Sequence, residues 1–124
     1  MQFILLNFPG EKAETRTFPD REAMTGIMKY TAELRKAGVL LALGGFKSTS
    51  VGARVTLGGG KPTITDGPFS EAKELIGGYW LIQVSSKAEA VEWAARGPAA
   101  ECEMIEVRQL YAPSDFPEEF RQRA

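Results

Sequence analysis

Aliphatic and aromatic residues fill 2-QFILLNF-8 and Pro9-Gly10 ends the run, a pattern that predicts an opening β-strand. From Pro19 to Ala37 the spacing changes: Ala23, Ile27, Tyr30 and Leu34 recur at intervals of 4, 3 and 4, the period of a helix with one buried face. Pro19 suits the first turn of that helix and Gly38 its C-terminal stop. The apolar run 39-VLLALGGF-46 predicts a second strand that closes on a glycine pair. Segments 53-ARVTL-57 and 61-KPTIT-65, separated by Gly58-Gly59-Gly60, predict a hairpin, and Pro62, which cannot donate to a ladder, puts it at a sheet edge. Another strand is expected at 79-YWLIQV-84. Ser86 and Glu89 have capping-box spacing for a helix through about Arg96, with Gly97-Pro98 as its terminator. In 103-EMIEVRQL-110, Ile105 and Val107 alternate with Glu106 and Arg108, the pattern of a last strand.

With the hairpin set aside, the order of elements is β-α-β-β-α-β. The expected fold class is therefore α+β: a ferredoxin-like βαββαβ unit with an inserted hairpin, one domain over residues 1–124 whose residues 111–124 form a polar C-terminal tail. A pair of helices covers one face of such a sheet. Phe3 and Leu5 nevertheless point one way while Ile4 and Leu6 point the other, and Tyr79 and Leu81 oppose Trp80 and Ile82 in the same manner, so both faces are apolar. A second copy of the chain is the economical cover for the second face, and a homodimer is expected, with a monomer exposing a ligand-lined sheet as the rival.

Composition narrows the chemistry. Fifteen basic against sixteen acidic residues leave a formal charge of -1, which provides no field to gather a phosphate backbone or an acidic membrane surface, and no nucleic-acid or membrane partner is expected. The first apolar run is far shorter than a signal or a membrane span, so the expected location is cytoplasmic. The chain contains no histidine, which excludes imidazole triads and histidine-ligated metals within it. Its one cysteine, Cys102, rules out an internal disulfide and a multi-thiolate zinc site, and reads as a packed small residue. No cofactor or metal motif is expected: Gly58-Gly59-Gly60 lacks the lysine and serine of a phosphate-binding loop and reads as a turn.

The stretch 65-TDGPFSEAKELIGGYW-80 holds most of the remaining candidates. Asp66 is either a general base at the lip of the sheet, desolvated by Phe69, or the first residue of a turn whose backbone it holds. Pro68 and Phe69 set direction and supply an apolar plug. Ser70 is placed to cap one helical turn bearing Glu71, Lys73 and Glu74, a cluster that is either a solvated face or a polar ligand site. Arg54 on the hairpin could reach an acidic ligand or simply face solvent, and Tyr30 sits on the apolar stripe of the first helix with its hydroxyl toward a pocket. Gly77-Gly78 suits a bulge or a close approach of two backbones.

Asp66-Gly67-Pro68-Phe69, followed by Glu71, Lys73, Glu74 and Gly77-Gly78, resembles the motif of the YCII-related, or DGPF-domain, family. Segments 31–46, 87–98 and 105–110 extend the similarity over nearly the whole chain. The resemblance implies a bacterial protein with a dimeric α+β barrel and no generally established activity. Relatives suspected of enzymatic function use a His-Asp pair, and members of the wider barrel superfamily convert small aromatic and lactone compounds. This chain has no histidine, and Gly97 stands where many relatives carry histidine or cysteine, so an imidazole mechanism does not carry over. The expected function is binding or conversion of a small molecule in a pocket between sheet and helices, with carboxylate chemistry if the chain is an enzyme. The alternative implied by the resemblance is a regulatory module associated with an extracytoplasmic-function sigma factor.

Overall fold

The computed structural model describes residues 1–71 and 74–123. Four antiparallel strands, β1 (Gln2–Phe8), β2 (Leu40–Gly45), β5 (Gly78–Gln83) and β6 (Met104–Gln109), form one sheet in the order β2-β5-β1-β6. Helix α1 (Arg21–Lys36) joins β1 to β2, and α2 (Lys87–Ala95) joins β5 to β6. This is the ferredoxin-like arrangement. Among the described residues, no helix is long and apolar enough to cross a membrane.

Both helices lie on the sheet face that carries Phe3, Leu5 and Ile82, and with Leu34 these side chains are fully buried. Burial of each such side chain stabilises the fold by about 1.5–3 kcal/mol. Tyr30 sets its ring edge against Trp80 at 5.0 Å, and the Trp80 indole donates to Thr31 Oγ1 at 3.0 Å, so α1 is pinned to β5 by packing and by a satisfied buried polar pair. The opposite face carries Ile4, Leu6, Phe8, Tyr79 and Leu81, which are half-buried.

Helix ends follow local chemistry with small shifts from expectation. Asp20 caps α1, its carboxylate accepting from Ala23 N at 2.8 Å, which leaves Pro19 just outside the helix and not in its first turn. Gly38 closes the helix at φ 76°, a left-handed conformation that a side chain would strain. Ser86 caps α2 by accepting from Glu89 N at 3.1 Å, but the Glu89 carboxylate returns to Ser85 and not to Ser86.

The inserted hairpin does not join the edge of the main sheet. Strands β3 (Ala53–Thr56) and β4 (Thr63–Asp66) pair with each other in a separate two-stranded sheet, and every residue in them is exposed. Pro62 falls in the turn, one residue before β4, so it costs the ladder nothing.

Candidate functional site

The register of β1, β2 and β5 sets Asn7, Leu43 and Trp80 on the helix-facing side of the sheet near one end. Helix α1 stands off from them there, and a cavity of about 340 Å³ opens between sheet and helix. Met24 and Ile27 of α1 form one wall, Trp80 and Leu43 another, and the exposed rings of Phe18 and Phe46 stand at the mouth. The volume falls in the range of small-molecule sites, and walls of this kind suit the flat faces of an apolar ligand.

One end of the cavity is polar. Arg16 Nη2 donates to Glu101 Oε2; the two side chains are 21% and 5% exposed, which makes this a largely desolvated ion pair. Bonds to backbone carbonyls hold the Glu101 segment in place. Glu101 N donates to Pro98 O at 3.0 Å in the turn after α2, and Lys12 Nζ donates to Ala100 O at 2.6 Å, drawing the turn at Glu11–Thr15 toward that segment. Among the described residues, two buried side-chain oxygens here have no hydrogen-bond partner: Glu101 Oε1 and Asn7 Oδ1. An unpaired buried acceptor costs free energy, more so when it belongs to a carboxylate, and both residues line the cavity.

The 66–69 stretch lies elsewhere, as a corner at the root of the hairpin. Gly67 N donates to Gly52 O at 3.0 Å, and a Cβ on Gly67 would fall 1.7 Å from Thr49 O, so only glycine passes at this point. Phe69 N donates to Thr49 Oγ1 at 3.0 Å, Thr49 N donates to the Glu14 carboxylate at 3.1 Å, and Ser48 Oγ donates to Glu14 O at 3.0 Å. Glu14 precedes Arg16 by two residues. The corner is thus tied, through Thr49 and Glu14, to the segment that presents Arg16 to Glu101.

The expected site residues divide into separate places. Asp66 ends β4, paired across the hairpin with Ala53, and is exposed. The Arg54 guanidinium lies 3.8 Å over the Phe69 ring and 3.8 Å from the Glu71 carboxylate, at the surface, where such a pair contributes little to stability. Ser70 Oγ donates to Glu71 at 3.1 Å, while Lys73 lies outside the described residues. Tyr30 is in the core, its hydroxyl donating to Trp93 O at 2.6 Å, and so points at α2. Among the described residues, none of these candidates lines the cavity. Sequence reasoning missed Asn7, Arg16 and Glu101. Asn7 carried a signal: it shares the core-facing side of β1 with Phe3 and Leu5, where an amide is out of place. Arg16 and Glu101 carried none, because they lie in connecting segments 85 residues apart.

Cys102, next to Glu101, is pushed up to about 12, first by burial and then by the negative charge of Glu101, so it is a thiol at neutral pH and no nucleophile. Burial likewise raises the Tyr30 hydroxyl, with further contributions from Cys102 and Glu33 against a lowering by Arg96. Among the described residues, no three Asp, Glu, Cys or His side chains converge as metal ligands would.

Comparison with known proteins finds a match to the model of the YCII-related domain over residues 1–114. An uncharacterized protein of Rhizobium meliloti (strain 1021), R00369, is 26% identical over 102 residues, which cover 79% of this chain and 82% of that protein. Among solved structures, the chain is similar to 5-chloro-2-hydroxyhydroquinone dehydrochlorinase (TftG) from Burkholderia phenoliruptrix AC1100 in complex with 2,5-dihydroxybenzoquinone. That alignment has a TM-score of 0.46 at 12% identity and covers 94% of this chain and 100% of the other.

Proposed function

The chain belongs to the YCII-related family, and from that premise we propose that it binds a small, largely apolar molecule in the cavity between the four-stranded sheet and α1. The observation that carries this reading is the pairing of an apolar chamber with two buried, unpartnered oxygens, those of Glu101 and Asn7, at its polar end. A chain without histidine has carboxylates as its natural proton acceptors, and Glu101, desolvated beside the cavity, suits that role better than the exposed Asp66. Arg16 holds one oxygen of Glu101, and the other is buried without a partner among the described residues.

A screen of small ring compounds by two-dimensional NMR tests the reading. Binders are expected to shift the amides of Asn7 and Arg16 and the Trp80 indole, and Met24→Trp, which fills the chamber, is expected to abolish the effect. Absence of any binder at these residues, or binding undiminished in the filled variant, would overturn it.

We also propose a homodimer built on the sheet face that carries Ile4, Leu6 and Leu81, since both helices occupy the other face. Sedimentation at micromolar concentration should give twice the 13.6 kDa chain mass, and a single 13.6 kDa species would refute it.

A further inference from the structure

The polar end of the cavity specifies the ligand's hydrogen-bonding sense. We propose that the cavity takes a neutral, ring-sized hydroxyl compound, which donates a hydrogen bond to Glu101 Oε1 or Asn7 Oδ1, and that it discriminates against carboxylates. This rests on the cavity reading given above. The argument begins from charge. Arg16 and Glu101 neutralise each other, and the guanidinium that could have met an anion spends Nη2 on Glu101 Oε2. The other cation on the cavity wall, Lys47, is exposed and follows Phe46 at the mouth, so an anionic ligand at the polar end would lose its hydration beside an already neutralised pair and a carboxylate that is itself 5% exposed.

The acceptors point the same way. Glu101 and Asn7 are each at most 5% exposed, both line the chamber, and each holds an oxygen with no partner in the described chain. A ligand that only accepts hydrogen bonds leaves both deficits in place, whereas one hydroxyl removes one of them. Met24, Ile27, Leu43 and Trp80, which make most of the wall between sheet and helix, are apolar side chains that favour hydrocarbon in the rest of the molecule. Asn7 can turn either its oxygen or its NH₂ to a ligand, while Glu101, paired with the Arg16 guanidinium, offers a carboxylate oxygen, so Glu101 dominates the preference.

Phenol, toluene and benzoate share a ring and differ in what they present to this end. Titrated separately into the intact protein at neutral pH and followed by the amide shifts of Asn7 and Arg16, phenol is expected to bind about tenfold or more tightly than either of the others, the ratio of a hydrogen bond to a charged acceptor. Glu101→Gln supplies a second arm. Arg16 is expected to retain the amide oxygen, turning the amide NH₂ to where Oε1 stood, so phenol should weaken about tenfold while benzoate gains. If toluene or benzoate binds the parent as well as phenol does, the donor preference is wrong and the cavity reading survives. If none of the three perturbs the cavity residues, the cavity reading itself fails. The comparison on the parent protein stands whether or not the variant folds.

Discussion

Removing Arg16 leaves a carboxylate stranded in a nearly dry place. Breaking a buried pair from one side costs about 3–5 kcal/mol, and because the Arg16 side chain keeps 21% of its exposure, we expect about 2–4 kcal/mol for Arg16→Met. Glu101→Leu should cost less, about 1–2 kcal/mol, because the guanidinium left behind can turn to water. The double variant replaces two charges by two apolar side chains at the end of an apolar chamber. It should therefore recover to within about 1 kcal/mol of the parent, a coupling of about 4 kcal/mol. Urea unfolding followed by the fluorescence of Trp80 and Trp93 gives all four stabilities, with unchanged slopes as the check that unfolding stays two-state. If the losses of the single variants simply add in the double, the two side chains do not form a desolvated pair and the account of this site is wrong.

Gly67→Ala forces its Cβ onto Thr49 O and strains the bonds from Gly67 N and Phe69 N; the expected loss is about 2–4 kcal/mol, seen as a thermal midpoint lower by about 6–15 °C, and a shift under 2 °C would contradict the close approach. Asn7→Leu replaces an amide with an unpartnered oxygen by hydrocarbon of similar size and should raise stability by about 1 kcal/mol in urea unfolding while weakening phenol binding. Cys102 in the folded protein should react with iodoacetamide at pH 8 about a thousandfold more slowly than in urea, since its value of about 12 lies well above the ordinary 9.0. The same shift makes the fold sensitive to base: the unfolded chain loses the Cys102 proton above about pH 9 while the folded chain keeps it toward 12, so stability is intact at neutral pH and declines as pH rises through that window. Thermal midpoints from pH 8 to about 11 should fall less steeply in Cys102→Ala than in the parent.

Periodicity made the scaffold legible. The 4-3-4 spacing of Ala23, Ile27, Tyr30 and Leu34 marks the face that α1 turns to the sheet, and Gly38 stops the helix in the left-handed conformation its type suggests. The corner at Gly67 was readable as a turn, but what makes glycine obligatory there, Thr49 O, lies 18 residues away in sequence and belongs to no pattern. Arg54, Phe69 and Glu71 meet, as charged and aromatic residues flanking a hairpin can, yet they meet at the surface. The cavity's polar end is assembled from a strand residue and two connecting segments, and a local window sees only one of the three. Asn7 was visible as a polar residue in a core-facing position, whereas Arg16 and Glu101 become partners only once β1 and β6 have been laid side by side.

The strand order β2-β5-β1-β6 also governs the sequence of events during synthesis. β1 is an interior strand, yet it leaves the ribosome before the other strands, and its neighbours β5 and β6 begin only at Gly78 and Met104. β2 does not help, since it bonds to β5 and never to β1. The apolar segment 2-QFILLNF-8 therefore has no ladder to enter until β5 has emerged, and the nascent chain must carry it unpaired over the 69 residues that separate Phe8 from Gly78. α1 can form early by local contacts and shield part of that strand. The sheet itself closes late and nearly all at once, so the period between the appearance of β1 and the arrival of β5 is when this chain is most exposed to misassociation.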